Sequence, residues 1–161
     1  MNDNKEVKIH LSIKPTWSIL KEVHEKTETF LKNKNFKIDF IEATIMCGAE
    51  LVENAIKYGS EDEGHSIITF DLTTHEGEVV ITVTNGIKDE KDALNVKTHI
   101  DKVKRTDDPG KLYTERLMEL MENPKPGVSQ LGLYRIAYEG EFKLDYIFKN
   151  KLLSVIAQRK Y

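Results

Sequence analysis

Cysteine is nearly missing from this chain. Of its 161 residues only Cys47 is a cysteine, so no internal disulfide can form and no thiolate cluster can hold zinc. Cys47 sits among apolar residues, which reads as packing rather than as a nucleophile. Long apolar runs are missing as well. No stretch approaches the roughly 20 residues that a membrane span requires, and the opening MNDNKEVKIH lacks the apolar centre of a secretion signal. The expected location is therefore the cytoplasm, with no membrane partner. A basic excess is also absent: 24 Lys and Arg stand against 27 Asp and Glu, for a net charge of -3. That balance argues against a nucleic-acid partner. No repeat and no low-complexity linker interrupts the chain.

What is present fits one globular domain spanning residues 1–161. Hydrophobic residues make up 39% and charged residues 32%, enough apolar content for a core and too much for disorder. Glu6 to Ile13 alternates apolar and polar side chains and predicts a strand. Pro15 and Thr16 open a helix on which Trp17, Leu20, Val23, Thr27, Phe30 and Leu31 recur at helical spacing. A second helix is predicted from Ile38 to Tyr58, closed by Gly59. A hairpin follows, Ser66 to Thr74 and Glu78 to Thr84, joined at His75-Glu76-Gly77. Lys88 to Asn123 is polar and helical in character, with Asp108-Pro109 as a start signal. A short helix from Gln130 to Glu139, closed by Gly140, leads to two last strands, Phe142 to Phe148 and Leu152 to Gln158. Segregated strand pairs and helices predict an α+β fold, a two-layer sandwich with a mixed or antiparallel sheet of about five strands and helices on one face. The regular βα alternation of a doubly wound parallel fold is absent.

The second helix carries the most specific pattern. At 100° per residue Ile38, Ile41, Ile45, Val52 and Ile56 share one face, expected to pack on the sheet. Glu50, Asn54 and Lys57 form a narrow stripe on the opposite side. Asn is a mediocre choice in mid-helix, because its amide competes for backbone hydrogen bonds. A carboxylate, an amide and an ammonium in one row suit metal-bound phosphates: the amide oxygen can take Mg²⁺, the carboxylate a proton or a water, and the ammonium can offset phosphate charge. The plainer reading stays open: polar residues on the outside of an amphipathic helix, with Glu53 and Lys57 as a routine i,i+4 ion pair. The five histidines, His10, His24, His65, His75 and His99, are scattered and are expected to be structural or solvated.

The string from Glu50 through Asn54-Ala-Ile-Lys57-Tyr58 to Gly59 resembles the N-box, E-x-x-x-N-A-x-K-[HY], of the GHKL superfamily of ATP-binding domains (gyrase, heat-shock and histidine-kinase type). It lies on the second helix, after a strand and a helix, as in that family. The resemblance implies the family's Bergerat-type sandwich, an ATP and Mg²⁺ site, Asn54 as the Mg²⁺ ligand, Glu50 as general base and Lys57 as a phosphate contact. The family's next motif, D-x-G-x-G, would fall at Asn85-Gly86, where Asn85 replaces the adenine-reading Asp. An Asn can still accept from an adenine amino group and donate to a ring nitrogen; alternatively Asn85-Gly86 is a turn. The glycine-rich phosphate loop would correspond to Gly127, Val128, Ser129, Gln130, Leu131, Gly132 and Leu133, at a helix start where backbone N–H groups can cradle an anion. There Gln130 stands in a glycine position, and a plain helix N-cap is the alternative. Residues 88–126 would be a helical lid.

Tyr113, a helix, a Gly-containing loop and Leu131-Gly132-Leu133, in that order, are similar to the SiaB-type branch of small bacterial serine kinases related to anti-sigma factors. The resemblance thus implies a regulatory protein serine kinase in signal transduction, acting on a STAS or anti-sigma-factor-antagonist-like partner. A chain of this length is not expected to hold a separate phosphoacceptor-histidine domain, so a full sensor histidine kinase is not expected. Asn85 and Gln130 favour an alternative, a binding module that kept the fold and lost phosphoryl transfer. Helix faces beside the sheet leave room for a homodimer.

Overall fold

In the computed structural model the described residues are 7–13, 18–59, 68–124 and 131–161. Their order is β1 (Val7–Ile13), α1 (Ile19–Asn33), α2 (Ile38–Tyr58), β2 (Ile68–His75), β3 (Glu78–Gly86), α3 (Glu90–Arg105), α4 (Pro109–Glu122), α5 (Leu131–Tyr138), β4 (Lys143–Lys149) and β5 (Leu152–Lys160). The strands form one antiparallel sheet in the order β1-β2-β3-β5-β4. Strand β5 returns between β3 and β4, which leaves β1 and β4 at the edges. The expected α+β sandwich with an antiparallel sheet is the architecture found.

Period-two patterning sets the register. Ile68, Phe70 and Leu72 on β2 are buried, as are Val79, Ile81 and Val83 on β3 and Leu153, Val155 and Ala157 on β5. Phe70 pairs Val83, and Val83 pairs Val155, so these side chains line one face in rows. The other face is mainly Thr, Ser and charged, with Thr84 and Ser154 hydroxyls 2.6 Å apart. Both hairpins close through two residues at positive φ, Glu76 (47°) and Gly77 (80°), and Asn150 (54°) and Lys151 (61°). Such turns match the right-handed twist of the strands.

The helix α2 keeps its predicted bounds but not its predicted orientation. Its buried residues are Phe40, Ile41, Thr44, Cys47, Gly48, Leu51, Val52 and Ala55. Ile38 is 57% exposed, while Ile45 and Ile56 are half-buried. The buried arc is turned by about 90° from the isoleucine face, counting 100° per residue. Small residues explain the turn. A Cβ on Gly48 would stand 3.2 Å from the Phe70 ring, so the helix comes close to the sheet along its Gly, Cys, Thr and Ala side. Asn54 is thereby moved from the outer surface to the flank of the core. The Glu53–Lys57 ion pair is not formed.

The polar segment after β3 forms two helices. Asp89 caps α3, its carboxylate accepting from the Lys91 amide. Asp108 caps α4 in the same way from Lys111, with Pro109 at the first helical position. The two differ in attachment. Helix α3 buries Ala93, Val96, His99, Ile100 and Val103, whereas α4 buries no residue. Asn85 and Gly86, which a turn would also suit, lie in β3 and pair with Leu153 and Leu152.

Candidate functional site

Two polar centres lie on α2, one turn apart. The first is Asn54. Together with Asn85, Tyr58, Ile87, Val96 and Leu153 it lines a narrow cavity of about 10 Å³. The Asn54 Nδ2 is buried and has no hydrogen-bond partner. Asn85 is 4% exposed, and its Nδ2 donates to the Gly86 carbonyl at 3.1 Å. An unpartnered buried N–H costs roughly 1–3 kcal/mol, so this amide is poised for a ligand or a solvent molecule. The space is at the lower limit for one water, about 10–15 Å³, and far below the several hundred Å³ of a small-molecule site. In this conformation the cavity has no room for a purine. Val96, from α3, is part of its lining.

The second centre is Glu50. Its side chain is 21% exposed and 3.2 Å from Arg135 Nη1. Arg135 also donates through Nε to Glu139 at 2.7 Å. Burial raises the Glu50 pKa above the usual carboxylate range, and the nearby Glu53 charge raises it further; Arg135 and Lys57 oppose both. Gly132, in the first turn of α5, faces this carboxylate. A Cβ there would overlap Glu50. The glycine thus lets α5 approach α2 closely enough for Arg135, one turn further on, to reach Glu50.

The two polar centres unite Glu50 with Gly132 and Asn54 with Asn85. Lys57 is exposed and acts on Glu50 only through its charge. Gly86 is buried in its strand. Leu133 is fully buried as part of the core. Gly127, Ser129 and Gln130 lie outside the described residues.

Sequence reasoning passed over Arg135, although its spacing of three from Gly132 puts both on one face of a helix. It also passed over the contact between His99 and Tyr134. His99 Nδ1 and the Tyr134 hydroxyl are 2.5 Å apart in the interior, joining α3 to α5. Arg116 of α4 stands over the Tyr134 ring, 6.0 Å from its centroid. Burial, followed by the charges of Arg116 and Lys102, lowers the His99 pKa to about 4. His99 is therefore structural and neutral at pH 7. Burial likewise pushes the Cys47 thiol up, as a packing residue requires. No helix among the described residues is long and apolar enough to cross a membrane.

No family model matches the chain. No curated protein matches it either. Among solved structures it is similar to a chain of the SiaB–SiaC complex from Pseudomonas aeruginosa, at 17% identity and a TM-score of 0.72, over 94% of this chain and 88% of that one. At that identity the likeness is one of fold, and the fold is shared over nearly the whole length.

Proposed function

We propose that this chain is an ATP-dependent regulatory serine kinase that phosphorylates a small STAS-like partner protein in bacterial signalling. One observation supports the reading: polar residues far apart in sequence come together on α2, β3 and α5. Glu50 and Asn54 on α2 stand beside Gly132 on α5 and Asn85 on β3. The similar solved structure is a complex with a partner protein, which supports a partner-binding role.

Bound Mg·ATP would supply the γ-phosphoryl group and leave as ADP. Asn54 would hold Mg²⁺ through its amide oxygen. Among the described residues no cluster of three His, Cys, Asp or Glu could hold a metal. Asn85 would read the base, and Lys57 would offset phosphate charge. Glu50 would accept the proton of the partner's serine hydroxyl. Its raised pKa suits that task, since a base works best with a pKa nearer the working pH. Arg135 fixes the carboxylate's position and balances its charge.

A second reading, a binding module without phosphoryl transfer, is favoured by the small size of the cavity at Asn54 and Asn85 and by the hold of Arg135 on Glu50. Thermal melting separates the two. Mg·ATP at a hundredfold excess over its Kd adds about 2.7 kcal/mol, a rise of roughly 5–10 °C in a domain of this size. Asn54→Ala is expected to abolish that rise. No rise with millimolar Mg·ATP sinks the kinase reading. A rise without transfer of labelled phosphate to a STAS-like partner, or transfer undiminished in Glu50→Gln, sinks the assigned chemistry.

A further inference from the structure

The isoleucines that the sheet does not bury have a place of their own. Ile38, Ile45 and Ala49 recur along one side of α2 and, with Met46, form the apolar wall of a groove between α1 and α2. The groove has a volume of about 390 Å³. Glu50 and Arg135 also line it. A helix in a globular protein normally turns such a stripe to the core; here the core takes the neighbouring face, and Ile38 is left 57% exposed.

Charge says what would cover it. Glu28, Glu42, Glu50 and Glu53 line the groove against a single guanidinium, Arg135. Glu28 is already paired with Lys32 at 2.6 Å, and Glu50 with Arg135. Glu42 and Glu53 have no ion-pair partner among the described residues. From Ile38 to Glu53 the groove spans about 22 Å at 1.5 Å per residue, room for roughly six residues of extended chain.

We propose that this groove docks the partner protein, taking a serine-bearing segment with aliphatic and basic side chains and presenting its hydroxyl at Glu50. The aliphatic side chains cover Ile38 and Ile45, and the basic ones meet Glu42 and Glu53. Electrostatic complementarity of this kind sets register and excludes acidic segments. The placement rests on the reading of Glu50 as the base, but the docking itself requires no nucleotide.

The probe is a synthetic twelve-residue peptide with one serine, leucines and lysines, titrated without nucleotide into the full chain labelled with nitrogen-15. Its counterpart carries glutamate for each lysine. Amide shifts are expected along 38–53 and 24–28 with the lysine peptide only, weakening as salt rises. Glu42→Lys is expected to weaken the lysine peptide about tenfold and to admit the glutamate peptide. Unaltered amides in the groove, equal binding of both peptides, or unchanged affinity in Glu42→Lys overturns the proposal. Melting of the wild-type chain with Mg·ATP reads the nucleotide site separately. Groove binding without a nucleotide shift leaves docking standing and removes the kinase; a nucleotide shift without groove binding does the reverse.

Discussion

Gly132 and Glu50 compete for one volume, and each limits what the other can become. A methyl group at 132 meets the Glu50 carboxylate, so Gly132→Ala must push that side chain off Arg135. Overpacking of this kind costs about 1–3 kcal/mol. Removing the obstacle as well, in Gly132→Ala with Glu50→Ala, is expected to recover about 1 kcal/mol relative to the sum of the single changes, read from denaturant midpoints. Additive losses would mean that the two do not share the space. His99 gives a second residue-scale expectation. Its pKa falls from 6.5 to about 4 on folding, so the folded state resists protonation. The stability it contributes is present above pH 6.5 and is lost as pH falls towards 4, by up to about 3 kcal/mol. Arg116, Lys102, Glu119 and Tyr134 face it and modulate the slope. His99→Gln can keep a hydrogen bond to Tyr134 and is expected to flatten the stability profile between pH 6.5 and 4. An unchanged profile would assign the acid sensitivity elsewhere.

The elements were mostly legible, because their signals are local. Asp108-Pro109, the hairpin residues Glu76-Gly77 and the alternating strands act over a few positions. The rotation of α2 was not legible, because isoleucine outweighs Gly48, Cys47 and Thr44 in any hydrophobic count, whereas the approach to Phe70 favours small side chains. The site was half legible for the same reason. Asn54 and Glu50 stood out by type and spacing, but Arg135 and Val96 matter only through tertiary contact. The start signal at Asp108-Pro109 marked α4, but which of α3 and α4 joins the core was not legible, because only the packing makes one a core helix and the other a surface helix. Helix α4 rests on rings and charge: Gly110 lies against the Tyr138 ring, Tyr113 is 5.5 Å from Tyr138 between centroids, and Arg116 covers Tyr134. With no buried residue, α4 is expected to open at lower free energy than α2 or α3. Its amides should exchange first among these helices. Asp108→Ala, which removes a cap worth about 1 kcal/mol, should speed that exchange about fivefold and leave α2 unaffected. Protection of α4 equal to that of α2 would contradict this account.

At the scale of the whole molecule the fold sets a condition on the proposed function. The chain leaves β3 after Gly86, forms α3 against β4 and α5, and returns through α5 to Glu50. Helix α3 is part of the core and also supplies Val96 to the lining of the Asn54–Asn85 cavity. On the proposed function a purine between Asn54 and Asn85 needs more room than the cavity holds, so Val96 would have to move, and affinity would then be reduced by the fraction of molecules in which it has moved. Val96 is the α3 side chain in the cavity lining, and it is 2% exposed. Val96→Ala removes roughly 2 kcal/mol of packing from the closed state and little from an open one. Two effects of opposite sign follow: the unliganded variant melts lower, while its gain in melting temperature with Mg·ATP exceeds that of the wild type. Val23→Ala, an equally buried change on α1 away from the cavity, should lower the melting point without enlarging the gain. Equal gains in both variants would show that α3 is not the barrier, since a loss of core packing alone lowers liganded and unliganded forms together.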